Sequence, residues 1–159
     1  MNGFLASLEQ AVPRLRRYAL AMLLDQRKAD DAVRTCLAKA LDRPLDPSDP
    51  ARLRVWLLAV MYRELSSRSR PRRRGIFSSS IGNIVSAVAS TELSRALGGL
   101  PLEQRSAVFL ISVEDLSYAA AAEVMGTSTM TIVNLLKGGR EQLRQAVGGG
   151  ASGVPPTET

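Results

Sequence analysis

Apolar side chains in this sequence return at steps of three and four residues, and no stretch shows the two-residue alternation of a half-buried strand. That period confines the chain to packed amphipathic helices. Phe4, Leu5, Leu8, Val12, Leu15, Tyr18, Ala19, Met22 and Leu23 form one stripe and predict a helix from about Gly3 to Leu24. Ala32, Val33, Cys36, Leu37, Ala40 and Leu41 form a second, from Lys28 to Leu41, with Asp30 and Asp31 placed as acids near its start. Arg43 to Pro50 carries three prolines and two aspartates and reads as a loop. Pro50 then opens a third helix with the stripe Leu53, Trp56, Leu57, Val60, Met61 and Leu65.

Ser66 to Gly75 is polar, basic and interrupted by proline, as expected of a linker, and Ile81, Ile84, Val85 and Val88 suggest a short amphipathic helix running towards Leu93 and Leu97. Gly98 and Gly99 end that segment, and Leu100-Pro101 opens a helix burying Leu102, Ala107, Val108, Leu110 and Ile111. Ser117 is placed as an N-cap for a helix through Ala119 to Met125, which Gly126 ends. A further helix begins near Ser128, and after Gly138-Gly139 a separate last segment is expected from Arg140 to Val147. Helix, glycine turn, helix is the helix-turn-helix pattern. The expected fold is all-α: two small helical domains, residues 1–66 and 97–147, joined by a basic linker over 67–96 and followed by a disordered tail over 148–159.

Composition excludes most catalytic chemistry. The chain has no histidine and one cysteine, Cys36, so zinc sites built from Cys and His, Ser-His-Asp triads, Cys-His dyads and internal disulfides are ruled out. Asp30 and Asp31 are better explained as helix-start acids than as a catalytic pair, and no enzyme activity, cofactor or metal is expected. Without an apolar run of roughly 18 to 20 residues or a leader-like start, no membrane role is expected and a cytoplasmic location is.

The net charge of +6 is unevenly placed. Met1 to Arg74 holds sixteen Lys and Arg against eight acids, whereas Gly75 to Thr159 holds five against seven. The densest cluster, Arg68, Arg70, Arg72, Arg73 and Arg74, has no acid after it until Glu92 and should attract phosphate or an acidic surface.

Several motifs carry a resemblance: Pro13-Arg14-Leu15-Arg16-Arg17-Tyr18-Ala19, Ala29-Asp30-Asp31-Ala32-Val33, Leu37-Ala38-Lys39-Ala40-Leu41 and Leu53-Arg54-Val55-Trp56-Leu57 in the first half. The second half adds Leu100-Pro101-Leu102-Glu103-Gln104-Arg105-Ser106-Ala107, Glu114-Asp115-Leu116-Ser117-Tyr118, Ala121-Ala122-Glu123-Val124-Met125-Gly126-Thr127-Ser128 and Arg140-Glu141-Gln142-Leu143-Arg144. In this order they resemble regions 2 and 4 of a bacterial extracytoplasmic-function sigma factor of the sigma-70 family, nearest the alphaproteobacterial general-stress branch or its sigma-like mimic domain. The resemblance implies a region 2-like unit that grips RNA polymerase core and melts the −10 element. It implies a region 4-like unit whose second helix reads the −35 element in the major groove.

The family pattern is altered at telling positions. Arg34 and Thr35 stand where a Gln and an acid are expected to face the polymerase clamp, Arg63 replaces an Asn, and Leu58 replaces an aromatic. Val133 and Leu135 replace basic residues of the recognition helix, and Gly138-Gly139 replaces Arg-Ala at its end, costing about 1 kcal/mol of helix propensity per glycine. From Leu97 to Val147 there are four basic residues against five acids, an adverse balance for a phosphate backbone. The lone Trp56 sits on the buried stripe, where core packing is expected of it.

Two functions from different classes are consistent with these residues. One is a divergent sigma factor that directs RNA polymerase core to promoter DNA in a stress response and is controlled by an anti-sigma factor. The other is a sigma-like mimic that captures an anti-sigma factor and releases the true sigma factor without binding DNA. Candidate DNA contacts are Arg68, Arg70, Arg72, Arg73, Arg74, Ser128, Thr129, Thr131, Asn134, Lys137 and Arg140. Candidate contacts to polymerase or anti-sigma factor are Asp30, Asp31, Arg34, Thr35, Val133, Leu135 and Leu136, the last three on condition of exposure.

Overall fold

A computed structural model describes residues 2–42, 49–69 and 92–148. Among them are seven helices and no strand: α1 (Asn2–Leu23), α2 (Gln26–Asp42), α3 (Pro50–Ser69), α4 (Glu92–Gly98), α5 (Leu102–Ser112), α6 (Tyr118–Met125) and α7 (Thr129–Gly148). Of the linker expected over 67–96, its first residues lie on α3 and its last on α4. Arg70 to Thr91, the tail beyond Gly148 and most of the Arg43–Pro50 loop lie outside the described residues.

Local chemistry sets the helix ends. Leu24, in the left-handed region at φ 55°, stops α1, and its N–H bonds Leu20 O at 2.8 Å. The next residue, Asp25, caps α2 by accepting the Lys28 N–H at 3.0 Å. Asp30 and Asp31, expected near the start of that helix, lie a turn inside it because Asp25 takes the capping role. Asp49 caps α3 through the Ala51 and Arg52 amides, with Pro50 in the first helical position, where its missing N–H costs nothing. In the second half, Ser117 Oγ accepts the Ala120 N–H at 3.1 Å, and Gly126 ends α6 at φ 63°, ψ 38°.

The last helix corrects the sequence reading. Gly138-Gly139 does not break it: α7 runs unbroken from Thr129 to Gly148. A Cβ on Gly139 would stand 2.8 Å from Val108 Cγ2 and one on Gly138 2.9 Å from Gln104 Nε2. The glycines let α7 approach α5 closely, and tertiary packing overrides their weak helix propensity.

Helices α1, α2 and α3 pack on one another, and α4, α5 and α6 each pack on α7. The two units also meet, α5 against α1 and α6 against α3, and one apolar cluster runs through both. Leu15, Tyr18, Cys36, Leu57, Met61 and Leu65 fill it from the first unit, and Phe109, Leu110, Val124 and Ile132 from the second. Tyr18 and Phe109 stack across the junction with ring centroids 5.3 Å apart.

Candidate nucleic-acid and protein interfaces

Helices α6 and α7, with the turn at Gly126–Ser128, form the helix-turn-helix, and α7 presents its outer face to solvent. Ser128, Thr129, Thr131, Asn134, Lys137 and Arg140 are all exposed on it. Ser128 also caps the helix, its Oγ accepting the Thr131 N–H at 3.2 Å and bonding Thr131 Oγ1 at 2.9 Å. This leaves Thr129, Asn134, Lys137 and Arg140 as the less committed polar row. Met130, two-thirds exposed at 67%, lies in the same row and was not singled out from the sequence; an isolated apolar residue at a helix start gives no periodic signal.

The expected apolar contacts divide. Leu136 is buried at 3% exposure and belongs to the core, so it offers nothing to a partner. It follows Ile132 at one helical turn, and the two pack inward together. Val133 and Leu135 are half-buried. Trp56 is also half-buried: it packs against the core and lines an open cleft of about 320 Å³ with Lys39, Asp42, Val60 and Arg63, so it is more than the core residue expected.

On the first unit the structure joins residues that the sequence kept apart. Arg68, expected to meet DNA, donates from Nε to Glu64 at 2.7 Å, from Nη1 to Asp31 at 2.8 Å and from Nη2 to Thr35 at 3.3 Å. Its guanidinium is turned onto α2, against Asp31 and Thr35, two of the expected protein contacts. Lys39 Nζ reaches the other oxygen of Glu64 at 2.6 Å. Burial pushes the Glu64 carboxyl upward, but the Lys39 and Arg68 hydrogen bonds outweigh it and hold the group below its ordinary value. Burial likewise opposes the charge of Arg68, and the hydrogen bonds to Asp31 and Glu64 more than restore it. Asp30 pairs with Arg16 at 2.9 Å, and Arg34 is exposed. Arg70, Arg72, Arg73 and Arg74 lie outside the described residues.

Sequence reasoning missed Glu64 and Glu114. The spacing of Glu64 to Arg68, four residues on a helix, was a readable signal for the first. Nothing local marked Glu114, whose partners Arg14 and Arg54 are distant in sequence. Among the described residues no helix is long and apolar enough to cross a membrane, and no group of side chains is placed to hold a metal ion.

Residues 8–62 match the family model described as the Sigma2 domain of PhyR, and residues 90–143 match Sigma-70, region 4. The chain is 30% identical over 143 residues to the ECF RNA polymerase sigma factor EcfG of Rhodopseudomonas palustris (strain TIE-1), spanning 84% of this chain and 78% of that protein. The chain belongs to the extracytoplasmic-function sigma factors. Its general-stress branch is the one the sequence resembles. Two solved structures have the same fold. The sigma factor RpoE in complex with the anti-sigma factor NepR, from Bartonella quintana, superimposes with a TM-score of 0.75 at 24% identity, over 93% of this chain and 98% of that one. PhyRSL in its complex with NepR, from Sphingomonas sp. Fr1, gives 0.68 at 21% identity, over 97% and 94%. By the residues matched, α1–α3 fall in the region 2 match and α4–α7 in the region 4 match.

Proposed function

We propose that this sigma-family chain directs RNA polymerase core to stress-response promoters and is held in check by an anti-sigma factor. The observation that carries the reading is the exposed polar row on α7, with Thr129, Asn134, Lys137 and Arg140 turned to solvent on a capped recognition helix. Asn suits adenine edges, and Lys and Arg suit guanine edges or phosphate. In this reading the arginines Arg70, Arg72, Arg73 and Arg74 hold the DNA backbone near the −10 element, and Arg34, with Asp30 and Asp31, lies on the face of α2 turned towards polymerase or the anti-sigma factor. The anti-sigma factor is of the NepR kind, since RpoE and PhyRSL, which share the fold, are both bound by NepR.

A second reading, capture of the anti-sigma factor without DNA binding, is favoured by Val133 and Leu135 on the recognition helix and by the likeness of residues 8–62 to PhyR. Run-off transcription with purified core polymerase and promoter DNA separates the two. The sigma reading expects specific initiation that falls at least about tenfold when Asn134 and Lys137 both become Ala, each base or phosphate contact being worth about 1 kcal/mol or more. Tight NepR-type binding with no core binding would instead establish the mimic.

A further inference from the structure

Met130, the second residue of α7, is the most exposed large apolar side chain among the described residues. A lone exposed apolar residue is ordinary on any surface, and this one is set apart by its position. Ile132, Leu136 and Gly139 form the buried side of α7. With about 100° of rotation per residue, Met130 and Asn134 point directly away from that side, one turn apart, and Lys137 follows in the same row. The turn that carries Met130 is fixed in direction, because the Ser128 and Thr131 hydroxyls bond each other at 2.9 Å on either side of it.

The row suits base edges better than a protein groove. Apolar docking on a protein draws on a contiguous patch. Apart from half-buried Val133, the neighbours of Met130 along the exposed face are hydroxyls, an amide and an ammonium group. The major groove has the matching pattern: one apolar group, the thymine 5-methyl, set among hydrogen-bond donors and acceptors. An Asn amide pairs with adenine N6 and N7, and an unbranched thioether can settle on a methyl group beside it. A rise of about 1.5 Å per residue separates Met130 from Asn134 by about 6 Å, close to two base steps of about 3.4 Å. Four basic residues against five acids from Leu97 to Val147 also leave little attraction to phosphate, so base contacts must carry a larger share of binding.

We propose that Met130 sets promoter selectivity by packing on the 5-methyl group of a thymine about two base pairs from an adenine that Asn134 reads. This role rests on the reading of α7 as a DNA-recognition helix.

The test uses the full chain with RNA polymerase core. A pool of duplexes with a randomised core is selected for binding, and the winning duplex is remade with deoxyuridine in place of each thymine in turn, which removes only the methyl group. One thymine near a selected A·T pair should prove sensitive, its loss weakening binding about fourfold, as expected for one buried methyl-sized group. Met130→Ala should bind the thymine and deoxyuridine duplexes equally, Met130→Leu should keep the thymine preference, and Asn134→Ala should keep it while losing selectivity at the neighbouring pair. Circular dichroism checks that the helices are intact. Sequence-selective binding with no sensitive thymine, or a sensitivity that survives Met130→Ala, overturns the role of Met130 and leaves the DNA reading standing. Unchanged DNA binding by Met130→Ala with weakened binding to a NepR-type anti-sigma factor also overturns it and makes Met130 a protein contact. If the wild type selects no sequence, the DNA reading fails and the methyl contact fails with it.

Discussion

Adjacent glycines on α7 should respond to the same substitution with opposite signs. Helix propensity alone favours alanine at either position by about 0.4–1 kcal/mol. At Gly138 the new methyl group would meet Gln104 Nε2 at 2.9 Å, the far end of a side chain with three free torsions whose Oε1 has no partner to lose. That amide swings away, and Gly138→Ala should stabilise the chain by about 0.5 kcal/mol. At Gly139 the methyl would meet Val108 Cγ2 at 2.8 Å, with the Gln104 backbone O also close at 3.4 Å. Carbon atoms settle at about 3.5–4.0 Å, and a β-branched residue in a helix has one strongly preferred rotamer, so α7 itself must retreat. Overpacking of this kind costs about 1–3 kcal/mol, which exceeds the propensity gain and leaves Gly139→Ala destabilised by about 0.5–2 kcal/mol. Urea denaturation at fixed pH measures both, and in a chain of this size 1 kcal/mol moves the melting temperature by about 3 °C. Stabilisation by Gly139→Ala equal to that by Gly138→Ala would refute the claim that close approach to α5 is why a glycine stands there.

Three further outcomes follow from the geometry. The Glu64 carboxylate releases its proton more readily folded than unfolded, so its contribution is complete above pH 4.5 and is lost as pH falls through the lower folded value. Glu64→Gln should flatten that part of the stability profile and cost about 1–3 kcal/mol near neutrality, less than a fully buried pair because Lys39 is half exposed; an unaltered acid limb would refute the pairing. Burial pushes the Cys36 thiol up to about 12, so iodoacetamide at pH 8 should label it only as fast as the chain unfolds, and prompt stoichiometric labelling of native protein would contradict this. Ser117→Ala removes the cap of α6 and should cost about 1 kcal/mol, whereas Ser117→Gly should cost only a few tenths, as denaturation midpoints will show.

Much of the fold was legible because caps and apolar stripes are local. Ser117 and Gly126 bound α6 where spacing placed them, and Tyr18, Leu57 and Ile132 are buried where their stripes required. The α2 start was misplaced because Asp25, Asp30 and Asp31 are equally good acids in sequence, and only backbone geometry shows which accepts an N–H. The candidate sites were less legible. Arg68 looks like the first member of a free basic run until α3 folds beside α2 and supplies Asp31 and Thr35 as acceptors. Leu136 and Val133 are alike in composition and differ only in which side of α7 faces α5 and α6.

The sequence by itself determined that this chain is helical, in two units, without the side chains for histidine or disulfide chemistry, and similar in order and motif to a sigma factor, because residue type and spacing act over a few residues. Tertiary structure alone decided that α7 runs through two glycines, that Arg68 is spent on α2, and that Glu114 meets Arg14 and Arg54. Each of those depends on a partner far away along the chain, and charge, packing clearance and burial acquire a value only when folding brings that partner within a few ångströms.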